Sequence, residues 1–306
     1  MMEKLSLALD WTPNINHIGF FIAQEKGFFQ DLGLAVTITD PSMDNYALTP
    51  AKKVELGQAD LALCPTESVI SYRTKANPFD LLGIATIFQE DLSAIVVKAD
   101  SAIYSPKDLD GKSYASYHAR YEDKIVQQMI RNDGGKGDIQ IVYPEKLGIW
   151  DTVLNGQVDA TWIFTNWEGV EAASGNSPLR YFKMKDFGIP YAYSPMMAGS
   201  ERKILAREDV FSKFLFACRQ GFLFAVQEPD TSVAILRPHL PEKDQQIDLL
   251  KALTLSQPAF GQEEGWGRME EDMVDRFLQW IYDHKLEAYP LKVEDLMTNK
   301  LIDTLG

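Results

Sequence analysis

The chain has 306 residues, of which 45% are hydrophobic and 24% are charged, and it carries a formal net charge of −14. This composition is typical of a folded globular protein large enough for two lobes, and it excludes an intrinsically disordered chain. The negative charge argues against nucleic acids and anionic membrane surfaces as partners, because both require a basic face. A neutral or cationic small molecule suits this charge better than a polyanion.

The cysteines and histidines predict neither a disulfide framework nor a metal site. Cys64 and Cys218 lie far apart, and the four histidines are scattered. We therefore expect two buried free thiols. No apolar run of about 18 residues occurs, so no membrane-spanning helix is expected. The chain begins directly with a strand-like segment, which leaves the localisation open: cytoplasmic, or periplasmic or lipid-anchored outside the membrane if a leader was removed.

The first part of the chain alternates between short strands and helices. Strands are predicted at 5–9, 34–38 and 59–63, and helices at 17–29 and 49–56. This alternation predicts a parallel sheet with crossover helices.

After two further strand-like runs at 82–87 and 94–97, a second strand–helix series begins at 113–115. The last third is mainly helical, with apolar stripes at 209–226 and 268–284. We therefore predict an α/β protein whose chain passes from one lobe to a second and back again. Residues 1–95 plus 198–306 would form the first lobe, residues 96–197 the second, and the two chain crossings a hinge.

Common catalytic signatures are absent from the sequence. It contains no GxSxG elbow, no Walker loop and no HExxH motif. We predict no catalytic residue from these patterns.

In the first lobe, two polar segments follow predicted strands. Residues 10–14 follow the first strand, and residues 64–68 follow the third. Ligands of open α/β sheets bind at the carboxyl ends of the strands. Glu67 would lie at the start of a helix, where the helix dipole favours a carboxylate. It would either accept a hydrogen bond from a ligand amine or serve only as an acidic residue of the first helical turn.

The second lobe has matching segments at 116–123 and 163–169, in which aromatic residues alternate with carboxylates. Rings for stacking and carboxylates for amines suit a flat heteroaromatic ligand with amino substituents. The alternative is that these aromatic residues only pack a surface.

A longer motif near the start of the chain resembles that of a known family. Residues 9–19 read Leu-Asp-Trp-Thr-Pro-Asn-Ile-Asn-His-Ile-Gly, and residues 23–29 and 33–34 continue the pattern. Together they resemble the opening of the thiamine-biosynthesis/substrate-binding family, which contains formyl-aminopyrimidine-binding proteins of ABC importers and the fungal-type pyrimidine synthase. Alkanesulfonate and nitrate binders are related. Short Gly-x-x-Asp pieces at 57–60 and 156–159 fall in the expected order. The resemblance implies the type II periplasmic-binding-protein fold.

The enzyme branch of this family uses a lysine that holds pyridoxal phosphate and a histidine, both just after the third strand. The matching positions here read Cys64 and Ser68, and residues 64–71 contain neither lysine nor histidine. The stretch that matches the synthase's cysteine-rich run, residues 191–199, has no cysteine. The resemblance therefore implies a binding protein without a cofactor.

For the binding branch, the resemblance implies ligand contacts at strand ends. Carboxylates, stacking rings and loop donors are predicted at Asp10, Trp11, Asn14, His17, Glu67, Tyr117, Glu122, Asp123, Trp167 and Glu168. Asn14 and His17 would either donate to the ligand or fix the first loop. The leading hypothesis is a substrate-binding protein for a thiamine-related aminopyrimidine that serves an ABC permease.

Two alternatives stay open. The first is a pyridoxal-phosphate-using synthase. The second is the same fold with another heterocycle, a flavin, a nitrate or a sulfonate, or with a phosphate-bearing ligand held at residues 116–120.

Overall fold

The computed structural model describes residues 2–175 and 177–305. Ten strands lie within these residues: β1 (Glu3–Ala8), β2 (Leu34–Thr39), β3 (Leu61–Cys64), β4 (Leu81–Thr86), β5 (Ser93–Lys98), β6 (Ser113–Ala115), β7 (Gln140–Val142), β8 (Ala160–Phe164), β9 (Leu179–Phe182) and β10 (Met196–Ser200).

The same residues contain twelve α-helices: α1 (Ile18–Glu25), α2 (Phe28–Asp31), α3 (Pro50–Glu55), α4 (Thr66–Thr74), α5 (Glu122–Asn132), α6 (Ile149–Leu154), α7 (Glu168–Ser174), α8 (Glu201–Ala206), α9 (Glu208–Gln227), α10 (Pro229–Leu236), α11 (Leu249–Ser256) and α12 (Glu271–Asp283). Within the described ranges, no helix is both long enough and apolar enough to cross a membrane.

The chain folds into two compact units. The first contains the residues up to Asp91, the segment Ala192–Asp275 and the residues from Leu291 onward. The second contains Leu92–Tyr191 and Arg276–Pro290. The sequence assigned all of 198–306 to the first lobe, whereas residues 276–290 belong to the second unit. The chain therefore passes between the units four times, and the prediction of two crossings is wrong. The apolar periodicity of 268–284 predicts a helix but carries no information on which core that helix joins.

The sheet of the first unit has the order β2-β1-β3-β10-β4. Strands β2, β1 and β3 are parallel, and β10 is antiparallel to both β3 and β4. The parallel arrangement predicted for the first three strands is confirmed, and β10, a strand that the sequence analysis did not predict, joins them antiparallel. This strand enters the sheet after the chain has left the second unit, so no crossover helix constrains its direction.

The sheet of the second unit repeats this plan in the order β7-β6-β8-β5-β9. Strands β7, β6 and β8 are parallel, and β5 is antiparallel to β8 and β9. Position by position, the two sheets have the same strand directions.

A serine–aspartate contact recurs at the same place in both sheets. Asp60 Oδ2 accepts hydrogen bonds of 2.9 Å from the backbone N and the Oγ of Ser6. Asp159 Oδ2 accepts bonds of 2.8 Å from the same two atoms of Ser113. Each aspartate ends a Gly-Gln-x-Asp motif whose glycine has a positive φ, 71° and 69°, which glycine adopts without strain. The motifs thus tie β3 to β1 and β8 to β6, the strand pairs that carry the predicted site segments.

In the core of the first unit, helices α1 and α9 pack closely against each other. A Cβ added at Gly221 would lie 2.0 Å from the carbonyl oxygen of Gly19, so only glycine allows this approach. The apolar stripe predicted along α9 is confirmed, because Phe211, Leu215, Cys218, Phe222 and Ala225 are all buried. The prediction of two buried free thiols is also confirmed.

Candidate functional site

The loop after β1 is held by a network around a buried histidine. Asp10 Oδ1 lies 2.8 Å from His17 Nε2, and the Nδ1 of His17 accepts a hydrogen bond of 3.3 Å from the backbone N–H of Asn14. Because Nδ1 accepts, Nε2 carries the proton and donates to Asp10. The side chain of Asn14 accepts from the N–H of Asn16 at 2.9 Å. Asn14 and His17 therefore fix the first loop, which is one of the two roles the sequence leaves open for them.

The same loop presents an aromatic pair. The rings of Trp11 and Tyr46 lie 5.8 Å apart at 53°, and the Tyr46 hydroxyl donates to the carbonyl oxygen of Asp10 at 2.8 Å. Burial, followed by the charge of Asp10, raises the pKa of Tyr46, so its phenol stays a neutral donor. Sequence reasoning missed Tyr46. The signal for it was the polar turn 40–45, which follows the second strand and therefore lies at the same sheet edge.

Glu67 lies in the first turn of α4, directly after β3, and its side chain is buried. Because β1 and β3 are parallel neighbours, Asp10 and Glu67 follow strands that end at one edge of the sheet. Thr66 anchors this turn, since its backbone N and its Oγ1 both donate to the carbonyl oxygen of Tyr193 at 2.9 Å. The structure thus brings the predicted residues of the first unit to one sheet edge.

In the second unit, Glu122 closes the loop that follows β6. Its Oε1 accepts from the Tyr114 hydroxyl at 2.8 Å and from the Tyr117 N–H at 3.0 Å, and its Oε2 accepts from the Ala119 N–H at 3.1 Å. Burial raises the pKa of this carboxyl, and the three hydrogen bonds oppose the rise. Glu122 uses both carboxylate oxygens to shape the loop that carries Tyr117.

Asp123 connects that loop to the segment after β7. Its Oδ1 accepts from the Ser116 hydroxyl and its Oδ2 from the Tyr143 hydroxyl, both at 2.7 Å. The hydrogen bond to Asp123 raises the pKa of Tyr143. The ring of Tyr143 lies 4.3 Å from that of His118, whose backbone has a positive φ of 61°. Sequence reasoning missed this second aromatic pair.

After β8, Trp167 and Glu168 begin α7. Glu168 Oε2 accepts from the backbone N–H of Phe164 at 3.0 Å, and both Trp167 and Glu168 are buried. The structure therefore brings Tyr117, Glu122, Asp123, Trp167 and Glu168 to the carboxyl ends of two neighbouring strands, β6 and β8.

The residues after β3 do not fit a pyridoxal phosphate held on a lysine. The position that the resemblance aligns with that lysine is Cys64, a buried thiol whose pKa is raised by burial and by the charge of Asp10. A thiol in this environment is not a nucleophile at neutral pH. Over the described ranges, no three His, Cys, Asp or Glu side chains are grouped to hold a metal ion.

Comparisons with known proteins give a family and a fold. The family model described as NMT1/THI5 like matches residues 14–232, which is more than half of the chain. The chain is 23% identical to a formylaminopyrimidine-binding protein of Halalkalibacterium halodurans over 97% of this chain and 90% of that protein. It is 24% identical to a 4-amino-5-hydroxymethyl-2-methylpyrimidine phosphate synthase of Saccharomyces cerevisiae over 52% of this chain and 45% of the synthase.

Two solved structures establish the fold. The alkanesulfonate-binding protein SsuA of Xanthomonas axonopodis pv. citri has a TM-score of 0.72 at 15% identity, covering 97% of this chain and 99% of that one. A Candida albicans protein described as having the generic periplasmic binding protein fold has the same TM-score and identity and covers 97% of each chain. The predicted type II periplasmic-binding-protein fold is confirmed.

Proposed function

The chain belongs to the NMT1/THI5-like family, and on that premise we propose that it is a substrate-binding protein for a thiamine-related aminopyrimidine and not an enzyme. The observation that carries this proposal is the extent of its similarities. The formylaminopyrimidine-binding relative covers 97% of this chain and 90% of its own length. The synthases match less: the yeast synthase covers 52% of this chain, and the synthase of Aspergillus parasiticus covers 74%. Formylaminopyrimidine is therefore the first ligand to test.

The chemistry of the strand ends supports such a ligand. An aminopyrimidine is a flat ring with amine donors, which aromatic faces and carboxylates recognise. The first unit offers the paired rings of Trp11 and Tyr46 and, after two neighbouring parallel strands, the carboxylates of Asp10 and Glu67. A hydrogen bond from an amine to a carboxylate contributes roughly 1.5–3 kcal/mol.

The contacts divide the predicted residues into two roles. Asn14, His17, Glu122 and Asp123 are engaged in fixing loops. We assign direct ligand contact to Trp11 and Glu67 in the first unit, and to Asp10 through its Oδ2, because its Oδ1 contacts His17. In the second unit we assign direct ligand contact to Tyr117. Trp167 and Glu168, which follow the neighbouring strand β8, are assigned a supporting structural role.

Two sequence positions support a non-enzymatic role. The synthase lysine and histidine positions hold Cys64 and Ser68, and burial makes the Cys64 thiol unreactive. The proposal includes an ABC permease as the partner that receives the ligand, which would place the protein outside the cytoplasmic membrane.

Isothermal titration calorimetry tests the proposal with two compounds, formylaminopyrimidine and 4-amino-5-hydroxymethyl-2-methylpyrimidine. We expect the wild-type protein to bind at least one of them. Trp11→Ala and Glu67→Gln should each weaken binding by about tenfold or more, the equivalent of one charge-assisted hydrogen bond or stacking contact. Asp209→Asn is the matched control, because this side chain is 74% exposed in the same unit. Absence of binding to both compounds, or unchanged affinity in both site variants, refutes the proposal.

A second measurement addresses the synthase alternative. The protein is mixed with pyridoxal phosphate and reduced with borohydride, and its peptides are then analysed by mass spectrometry. Burial lowers the pKa of Lys146, so this amine is where an adduct would form first. A stoichiometric adduct on a single lysine would refute the binding-protein proposal and support the synthase alternative.

A further inference from the structure

The segment 276–290 brings a buried carboxylate to the loop that follows β6. The Tyr121 hydroxyl donates to Oε1 of Glu287, and Arg120 Nη2 lies 2.7 Å from the same oxygen. The Glu287 side chain is 5% exposed and Tyr121 is buried. Glu287 therefore holds two consecutive residues of the loop although it lies 166 positions from Tyr121 along the chain.

Arg120 is the residue that could turn this loop into a phosphate site. Its planar guanidinium matches a phosphate through two parallel hydrogen bonds, and it precedes the N-terminus of α5 by two residues. In the structure this guanidinium forms an ion pair with Glu287 and lies over the Tyr121 ring, 5.2 Å from its centroid. A phosphate that bound Arg120 would compete with a carboxylate already in place.

That competition is unequal, because the carboxylate is buried. Removing the cation from a buried ion pair leaves a desolvated charge and is strongly unfavourable. The carboxylates of Glu122 and Asp123 follow directly in the chain and would also repel a dianion. The loop is therefore arranged against a phosphate ester.

Building on the proposed function, we infer that Glu287 is a specificity-determining residue. By neutralising Arg120, it makes the loop favour an unphosphorylated aminopyrimidine over the phosphate ester of the same ring. Glu287 acts on the ligand through Arg120, so it is a positioning residue and not a direct ligand contact.

The test compares the affinities for 4-amino-5-hydroxymethyl-2-methylpyrimidine and for its phosphate ester, measured by calorimetry on the full chain. We expect the wild-type protein to prefer the unphosphorylated compound. Glu287→Gln keeps the size and hydrogen-bonding capacity of the side chain and removes its charge. It should shift the affinity ratio toward the phosphate ester by about tenfold or more, and added salt should reduce the shift.

Three further variants separate charge from structure. Adding Arg120→Gln to Glu287→Gln should return the ratio to the wild-type value. Tyr121→Phe removes an anchor of the loop without removing a charge, so it should weaken both ligands equally. Asp186→Asn removes one exposed negative charge from the same unit and should change nothing. If Glu287→Gln fails to fold, Glu287→Asp replaces it, since the shorter acid weakens the ion pair and should give a smaller shift in the same direction.

The outcomes distinguish the two proposals. If the wild-type protein binds the unphosphorylated compound and the folded Glu287 variants keep its ratio, the specificity inference is wrong and the proposed function stands. An equal shift in Asp186→Asn would also overturn the inference, because the effect would then be one of net charge. If the wild-type protein binds neither compound, the proposed function fails and the inference fails with it.

Discussion

Glu122 offers the sharpest test of how the candidate site is built. If this carboxylate shapes the loop, its removal should loosen the backbone of residues 117–119 before it affects any ligand. Glu122→Ala removes the acceptor of three hydrogen bonds, from the Tyr114 hydroxyl and from the backbone N–H groups of Tyr117 and Ala119. Glu122→Gln keeps one acceptor oxygen and loses the other.

The magnitude follows from the number of donors left without an acceptor. A buried donor that loses its acceptor costs about 1–3 kcal/mol. Tyr114 is fully buried, whereas the two N–H groups belong to a partly exposed loop that water can reach. We therefore expect a loss of about 3 kcal/mol for Glu122→Ala, and about 1 kcal/mol for Glu122→Gln, which gives up only the bond to Ala119.

Amide hydrogen exchange is the most direct assay, because the two units need not unfold together and a single transition curve could mix them. The amides of Tyr117 and Ala119 should exchange faster in Glu122→Ala, while amides in β4 of the first unit should keep wild-type protection. In Glu122→Gln, only the amide of Ala119 should exchange faster, because this variant loses only the hydrogen bond to that amide.

The pH dependence has a definite sign. Burial raises the pKa of Glu122 above its ordinary value of 4.5, so the folded state binds this proton more tightly than the unfolded state does. The contribution of this group to stability is therefore fully present below pH 4.5 and is lost as the pH rises through the folded-state pKa. The stability of the wild-type protein relative to Glu122→Gln should fall over that interval.

One combination of results would refute the loop assignment. If Glu122→Gln abolished ligand binding while the amides of Tyr117 and Ala119 kept their wild-type protection, Glu122 would be a direct ligand contact, as the sequence predicted.

Three further predictions concern the fold and its thiols. Gly221→Ala should destabilise the protein by roughly 1–3 kcal/mol in thermal unfolding, because its Cβ would meet the backbone of α1, whereas Gly265→Ala, with open space around it, should be nearly neutral. Asp60→Ala and Asp159→Ala should each lower the free energy of unfolding by about 1–2 kcal/mol, and by similar amounts, because each removes the same pair of hydrogen bonds to a serine. An unchanged stability in either variant would contradict the energetic equivalence of the two sheets. Burial raises the pKa of both cysteine thiols, so the folded protein should react with a thiolate-selective reagent at pH 8 far more slowly than the urea-unfolded protein does.

Strand and helix positions could be predicted from the sequence where the pattern is local. The alternation in β1 and the apolar stripe of α9 report burial directly, and both elements form where predicted. The direction of β5 and β10 could not be predicted in this way. The buried runs Ser-Ala-Ile-Val-Val-Lys and Met-Met-Ala-Gly-Ser read the same in a parallel or an antiparallel strand. The direction of each strand depends on the end from which the chain enters the sheet. Both strands directly follow a passage of the chain from one unit to the other, so their direction is not encoded in a local pattern.

For the site, the positions were predictable and the roles were not. The carboxyl end of each predicted strand identified the segments that carry Asp10, Glu67 and Glu122, because that rule needs only strand order. The role of Glu122 depends on three donors that meet it only when the loop is folded. Glu287 reaches the same loop from the far end of the chain, and no local pattern connects it to Tyr121.

The repeated sheet plan provides the signal that could have found the missed aromatic residues. Strands β1, β2 and β3 of the first unit correspond to β6, β7 and β8 of the second, and an aspartate ties the third strand to the first in both. In each unit, a ring from the loop after the first strand of this set contacts a tyrosine that follows the second: Trp11 with Tyr46, and His118 with Tyr143. Tyr46 precedes the motif aspartate Asp60 by 14 positions and Tyr143 precedes Asp159 by 16, so a comparison of the two halves that allows a two-residue insertion would have paired the tyrosines. The hydroxyls of both tyrosines are already engaged in hydrogen bonds. If the proposed function holds, we therefore expect the tyrosines to contribute stacking surface and the charged residues around them to discriminate among ligands.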